Sequence, residues 1–142
     1  MTLKKFHKSV FVSTWMFLLW SLALTGANAQ KSIRRLEALK FYQTLQKHPN
    51  ALIIDTRPAY KFEEYRMKNA VLAISQKELL SVVKDQPKHK PLFVYCEIGD
   101  RSKRAVKVLA ENGFVEIYEL KAGLKVWMEE GFEVDAEPLN AQ

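Results

Sequence analysis

Cysteine is nearly absent from this chain, since Cys96 is the single one among 142 residues. One thiol can form no disulfide bond within the chain, so no disulfide framework stabilises the fold. Two interpretations of Cys96 remain: a small apolar side chain in the core, or a reactive group. The sequence around Cys96 favours the reactive group.

Long apolar runs are also missing. The longest, Val10 to Leu24, has 15 residues and ends before Thr25-Gly26. A helix that spans a membrane needs about 20 apolar residues. The run follows the basic residues Lys4, Lys5 and Lys8, and it precedes the small-residue site Ala27-Asn28-Ala29.

These three parts, in this order, predict a secretory signal peptide over residues 1–29, with cleavage after Ala29. We therefore expect residues 30–142 to form the mature protein, exported to the periplasm and without stable membrane association. An uncleaved membrane anchor is the alternative. No cysteine directly follows the apolar run, so the lipid of a lipoprotein would have no attachment site there.

Acidic residues are missing before Glu37, and this biases the net charge of +6. Without Lys4, Lys5 and Lys8 the charge falls to +3, and the remaining lysines are spread among glutamates instead of forming a basic stripe. Nucleic-acid binding is therefore not expected. With 48% hydrophobic and 27% charged residues and no internal repeat, the composition is typical of one globular domain.

Short apolar runs and amphipathic segments alternate along the chain, which predicts an α/β fold with a mostly parallel sheet. Residues 59–68 are predicted as a loop or short helix. The predicted strands are Ala51–Asp55, Ala70–Ile74, Leu92–Tyr95 and Val115–Leu120, and the predicted helices are Ser32–His48, Gln76–Lys84, Ser102–Asn112 and Leu124–Glu130.

The segment from Cys96 to Ser102 lies between the end of a predicted strand and the start of a predicted helix. Open α/β sheets bind their ligands at such positions. The N–H groups of a short loop and the positive end of the following helix stabilise an anion there, so a thiolate is favoured and Cys96 becomes nucleophilic. Gly99 suits a turn that requires positive φ.

The same segment fits Cys-x-x-Gly-x-Arg-Ser and resembles the persulfide-forming loop of the rhodanese family. The resemblance extends over residues 51–132. Asp55-Thr56-Arg57 is similar to the family's Asp-x-Arg, while Glu64-Tyr65, Asn69-Ala70 and the segment from Gly123 to Trp127 with Gly131 match in order. Asn69 replaces a common glycine, and asparagine tolerates the left-handed conformation.

The resemblance implies a rhodanese-like three-layer domain in which a central, mostly parallel sheet is flanked by helices. Cys96 would be the catalytic nucleophile of a sulfurtransferase. Asp55 and Arg57 would lie at the rim of the site or brace the loop. The resemblance assigns substrate binding or anion stabilisation to Glu97, Ile98, Gly99, Asp100 and Arg101.

It also implies that no metal, nucleotide or other cofactor is needed. The donor would be a small sulfur-containing anion such as thiosulfate, and the acceptor would be cyanide, a thiol or a protein thiol. Glu97 and Asp100 oppose a dianion only if their side chains point into the site, because the repulsion of two charges weakens in water.

Two other functions are weighed against this one. Protein phosphatases of related architecture have five residues between cysteine and arginine, whereas four separate Cys96 from Arg101. A sulfur carrier or redox module without turnover would need the same loop, so it stays open as the alternative to an enzyme.

Overall fold

The computed structural model describes residues 31–136. The predicted signal peptide lies outside the described residues. Within them, no helix is both long and apolar enough to cross a membrane.

Strands and helices alternate along the described part of the chain. The strands are β1 (Ser32–Leu36), β2 (Leu52–Asp55), β3 (Ala70–Leu72), β4 (Leu92–Tyr95) and β5 (Glu116–Leu120). The helices are α1 (Ala38–Leu45), α2 (Ala59–Glu64), α3 (Gln76–Val83), α4 (Asp100–Glu111) and α5 (Gly123–Glu129).

The five strands form one sheet in the order β1-β5-β4-β2-β3, and every neighbouring pair is parallel. The central strand β4 is buried along its whole length. Its side chains alternate between two apolar faces, because Leu92 and Val94 pack on one side while Phe93 and Tyr95 pack on the other. A strand of this kind must lie inside a sheet covered on both faces.

Helices cover both faces of the sheet, which gives three layers. Helices α3 and α4 pack on one face through Leu79, Val106 and Leu109. Helices α1 and α5 pack on the other through Phe41 and Trp127. The α/β class, the parallel sheet and the flanking helices are therefore confirmed.

The prediction of one helix from Ser32 to His48 is wrong. Its first part forms β1, which pairs in parallel with β5 from Ser32 opposite Glu116 to Leu36 opposite Leu120. Only its second part is helical. Ile33 and Leu36 have helical spacing, but pairing with a strand far along the chain overrides this local signal.

The other predicted elements are confirmed, with ends that differ by at most two residues. Residues 59–64 take the helical option. Asn69 has φ of +62°, so it adopts the left-handed conformation predicted for it.

Sheet order determines where the site lies. The chain passes from β2 outward to β3, and then from β4 outward to β5 in the opposite direction. The carboxyl ends of β2 and β4 therefore border the crevice at which the direction reverses, the usual ligand site of open parallel sheets. Because Asp55 pairs with Tyr95, the residues after these two strands are brought together.

Candidate active site

Cys96 directly follows β4, and its side chain lies at the base of the crevice with 2% exposure. The backbone N–H of Gly99 donates a hydrogen bond to Cys96 Sγ at 3.1 Å. This contact requires Gly99 to turn back with φ of +96°. A Cβ atom on Gly99 would lie 2.2 Å from the carbonyl oxygen of Lys121, so a side chain is excluded sterically as well.

The loop rests on the start of α5. The backbone N–H groups of Leu124 and Lys125 donate to the carbonyl oxygens of Cys96 and Glu97, at 2.8 and 3.2 Å. Gly123 has φ of +74°, and a Cβ atom there would lie 2.2 Å from the Glu97 carbonyl oxygen. The loop can approach the helix only because residue 123 has no side chain.

Asp55 and Arg57 form a fully buried ion pair beneath the loop. Arg57 Nε donates to both carboxylate oxygens of Asp55, at 3.1 and 2.9 Å, and Nη2 adds a third bond at 2.8 Å. Arg57 Nη2 also donates to the carbonyl oxygen of Tyr65. Both charged residues have no exposed surface, and Arg57 contacts the loop through the carboxylate of Glu97.

The charge of Asp55 affects its neighbours. Burial alone lowers the pKa of Arg57, but the hydrogen bond and the charge of Asp55 outweigh it, so the pKa is raised. Burial raises the pKa of Tyr95, and the charge of Asp55 adds to the rise. Arg57 therefore stays charged and Tyr95 stays neutral beneath the loop.

The Glu97 carboxylate lies against two cations at the side of the site. Glu97 Oε2 is 3.5 Å from Arg57 Nη1, and Oε1 is 3.2 Å from Lys61 Nζ. The hydrogen bond from Lys61 to Glu97 raises the pKa of the lysine. These contacts offset the negative charge that the sequence placed beside Cys96.

A pocket of about 360 Å³ opens above Cys96. We call it the Cys96 pocket. Its lining includes Pro58 and Ile98, the four cations Arg57, Lys61, Arg101 and Arg104, and the two carboxylates Glu97 and Asp100. Asp100 is the first residue of α4, where a negative charge is favourable with respect to the helix dipole. The balance of charge in the pocket favours an anionic ligand.

A polar network behind the sulfur was missed by the sequence reasoning. The Ser102 hydroxyl lies 3.5 Å from Cys96 Sγ and 3.0 Å from Oε1 of Glu119, which is buried. Arg35 Nε binds the other carboxylate oxygen at 2.7 Å. Ser102 fits the loop pattern, but Arg35 and Glu119 carry no local signal because they belong to the paired strands β1 and β5.

Glu119→Gln should raise the rate at which iodoacetamide alkylates Cys96 at neutral pH several-fold. Ser102 has one hydroxyl hydrogen, which bonds to the Glu119 carboxylate or to the Gly99 carbonyl oxygen, while its oxygen accepts from the Cys96 thiol. An amide can instead donate to Ser102, so that the hydroxyl hydrogen can turn to the thiolate or to the Gly99 carbonyl oxygen at 3.1 Å. The substitution also removes a nearby negative charge. The rate is measured by intact mass over time.

Glu116→Gln is the matched control, because it changes the same group on the same strand. Glu116 accepts from the Tyr118 hydroxyl at 2.8 Å and begins β5, at the opposite end of the strand from the Cys96 loop. Equal alkylation rates in the two variants and the natural chain would show that Glu119 does not act on Cys96.

The fold and the loop define the class. A parallel sheet with a cysteine loop after its central strand, held on a helix start and facing a basic pocket, is a sulfurtransferase-type fold. The family of rhodanese-like domains matches residues 38–130, so the chain belongs to the rhodanese-like family.

Solved structures agree with this assignment. A rhodanese-related protein from Thermoplasma volcanium is 27% identical with a TM-score of 0.62, over 73% of this chain and 99% of that one. A rhodanese-like domain protein from Staphylococcus aureus is 22% identical with a TM-score of 0.59, over 72% of this chain and 98% of that one.

A thiosulfate sulfurtransferase from Pseudomonas aeruginosa has a TM-score of 0.64 at 17% identity. It aligns with 75% of this chain, but only 21% of its own length is matched. At this identity the likeness shows the fold alone.

Proposed function

We propose that the protein is an exported sulfurtransferase that carries sulfane sulfur as a persulfide on Cys96. One observation carries the proposal: a nearly buried thiol accepts the Gly99 N–H at the base of a pocket in which cations outnumber carboxylates. Such a pocket suits a small anion with a terminal sulfur atom. Thiosulfate or a related anion is the proposed donor.

The transfer takes place in two nucleophilic steps. The Cys96 thiolate attacks the outer sulfur of thiosulfate, the sulfur–sulfur bond of the donor breaks, and sulfite leaves with the electron pair. Cyanide or a thiolate then attacks the outer sulfur of the persulfide, and Cys96 leaves as a thiolate. Neither step requires an external oxidant or reductant.

The surrounding residues have distinct parts in this scheme. Gly99 donates to the sulfur, and Arg101 at the pocket wall orients the anionic donor and stabilises the departing charge. Glu97, held by Arg57 and Lys61, opposes the donor less than an unpaired carboxylate would. Ile98 completes the loop, Asp100 begins α4 beside it, and Asp55 acts on the site through Arg57.

Intact-mass spectrometry tests the proposal. After incubation with thiosulfate, the purified protein should gain the mass of one sulfur atom, and cyanide should then remove it as thiocyanate. Cys96→Ser, which changes one atom, should show neither. The same spectrum tests the proposed export, because a cleaved chain begins at Gln30. A chain that takes no sulfur from any sulfane donor would contradict the proposed function.

The exposed side chain of Ile98 favours a second candidate, a carrier that delivers sulfur to a protein thiol. Ile98 lies on the loop beside Cys96 and is 59% exposed. An apolar side chain at this position is available to a partner surface. A persulfide that forms but is discharged only by a protein thiol would support the carrier over the enzyme.

A further inference from the structure

A second cleft adjoins the Cys96 pocket, and the two steps of the proposed sulfur transfer do not require it. This side cleft, of about 320 Å³, lies between α3 and α4 at the carboxyl ends of β2 and β3. Arg101 and Arg104 line both the side cleft and the Cys96 pocket, so these two side chains lie between the cavities. The volume falls within the lower range of small-molecule sites.

The charge of the side cleft has one sign. Arg101 and Arg104 line it, and no aspartate or glutamate does. Neither arginine has a carboxylate partner among residues 31–136. The nearby Glu78 carboxylate accepts the backbone N–H of Ile74 at 2.8 Å. The two guanidinium groups are therefore available to carboxylates of a ligand.

The rest of the lining suits an organic molecule better than a bare inorganic ion. Leu79 and Val108 supply apolar surface, while Gln76 adds a carboxamide at the start of α3. Ser75 Oγ accepts the N–H of Glu78, which leaves the hydroxyl hydrogen able to donate. An acidic molecule with a short carbon skeleton fits these groups.

We propose that the side cleft binds the acceptor of the sulfur atom, and that this acceptor is a small thiol carrying carboxylates. The inference rests on the proposed function. Formation of the persulfide places the reactive outer sulfur about 2 Å beyond Cys96 Sγ, away from the base of the pocket. An acceptor held by Arg101 and Arg104 then needs to extend only its thiol into the Cys96 pocket.

The transfer balances without a further reactant. The acceptor thiolate attacks the outer sulfur of the protonated persulfide, and a new sulfur–sulfur bond forms. The bond to Cys96 breaks, Cys96 leaves as a thiolate with the electron pair, and the acceptor becomes a persulfide that keeps the proton. The acceptor's carboxylates and carbon skeleton contact the side cleft, and only its thiol enters the Cys96 pocket.

Gln76→Glu tests this site, because it adds a negative charge to the side cleft without touching the Cys96 pocket. An acidic residue is favourable in the first turn of a helix, so α3 should remain folded. Gln43→Glu is the matched control: Gln43 is an exposed glutamine on α1, which packs on the opposite face of the sheet.

The probes are mercaptosuccinate, which has two carboxylates, and 2-mercaptoethanol, which has none. Gln76→Glu should lower kcat/KM for mercaptosuccinate about tenfold, as expected for one like charge across a partly solvated cleft. The value for 2-mercaptoethanol should change little. Comparing each variant with the natural chain cancels the intrinsic reactivity of each thiol, and Gln43→Glu should match the natural chain with both.

Binding to the Cys96→Ser chain separates the two proposals. Calorimetry should detect mercaptosuccinate binding that Gln76→Glu weakens and Gln43→Glu leaves unchanged. If the natural chain takes up sulfur but Gln76→Glu alters neither binding nor acceptor preference, the side cleft is not the acceptor site. If no donor forms a persulfide on Cys96, the proposed function fails, and the acceptor role fails with it even where mercaptosuccinate binds.

Discussion

Gly123→Ala should displace the Cys96 loop and reduce persulfide formation by an order of magnitude or more. The added Cβ would lie 2.2 Å from the carbonyl oxygen of Glu97 and 2.5 Å from the backbone nitrogen of Ile98. Both atoms are backbone, so no side-chain rotation relieves the contact. Either the loop or the start of α5 must move, and the hydrogen bonds from Leu124 and Lys125 to the loop are lost.

Gly123→Ala should also lower the stability of the fold, and this loss has two sources. A non-glycine residue in the left-handed region costs ~1–2 kcal/mol, and an overpacked contact costs a further ~1–3 kcal/mol. Sulfur uptake is measured by intact mass at a temperature where circular dichroism shows the variant folded. Under that condition, lost uptake reports the geometry of the loop.

Gly131→Ala separates the two sources. Gly131 has φ of +82°, but a Cβ atom added there would have no neighbouring atom within 4 Å. This control should lose stability through its backbone alone and keep the reactivity of Cys96. Persulfide formation at the same rate in the two variants would show that the loop does not depend on close contact with α5.

Arg57→Leu should lower the free energy of unfolding by about 3–5 kcal/mol, because it leaves the buried charge of Asp55 without a partner. Arg57 supplies three side-chain hydrogen bonds to that carboxylate. It also contacts the carboxylate of Glu97, so the loop loses one of the two cations beside it. Urea denaturation measures the loss, and a weaker uptake of sulfur should accompany it.

The double variant Asp55→Asn with Arg57→Leu is the control for the buried charge. It removes the uncompensated charge and should recover part of the stability lost by Arg57→Leu. The single variant Asp55→Asn is measured as well. A double variant whose loss of stability equals the sum of the losses of the two single variants would show that Asp55 and Arg57 act independently. A loss below about 1 kcal/mol for Arg57→Leu, the range of surface ion pairs, would contradict the proposed brace.

Local signals along the chain were sufficient for most elements. The apolar run Leu92 to Tyr95 predicted a buried strand, and Gly99 predicted a turn with positive φ. These inferences succeeded because burial on two faces and a left-handed turn each restrict the residue types over a few neighbouring positions. The segment from Ser32 to Leu36 failed for the opposite reason: its strand exists only by pairing with β5.

The parts of the candidate site differ in the same way. Cys96, Gly99 and Arg101 belong to one short segment that runs from the loop into the start of α4, and their spacing in the chain was enough to single them out. The contact of Arg57 with Glu97 depends on β2 lying beside β4, and the contact of Arg35 with Glu119 depends on β1 lying beside β5. No periodicity within a segment encodes which strands are neighbours.

The sequence by itself determined the α/β class, the position of the cysteine loop and the resemblance to the rhodanese family, because each depends on residues close together in the chain. The tertiary structure alone decided that Glu97 lies against Arg57 and Lys61 and that Asp55 is buried. It also decided that Arg101 and Arg104 line both the Cys96 pocket and the side cleft. These features arise where separate strands and helices meet, and sheet order and packing determine such meetings.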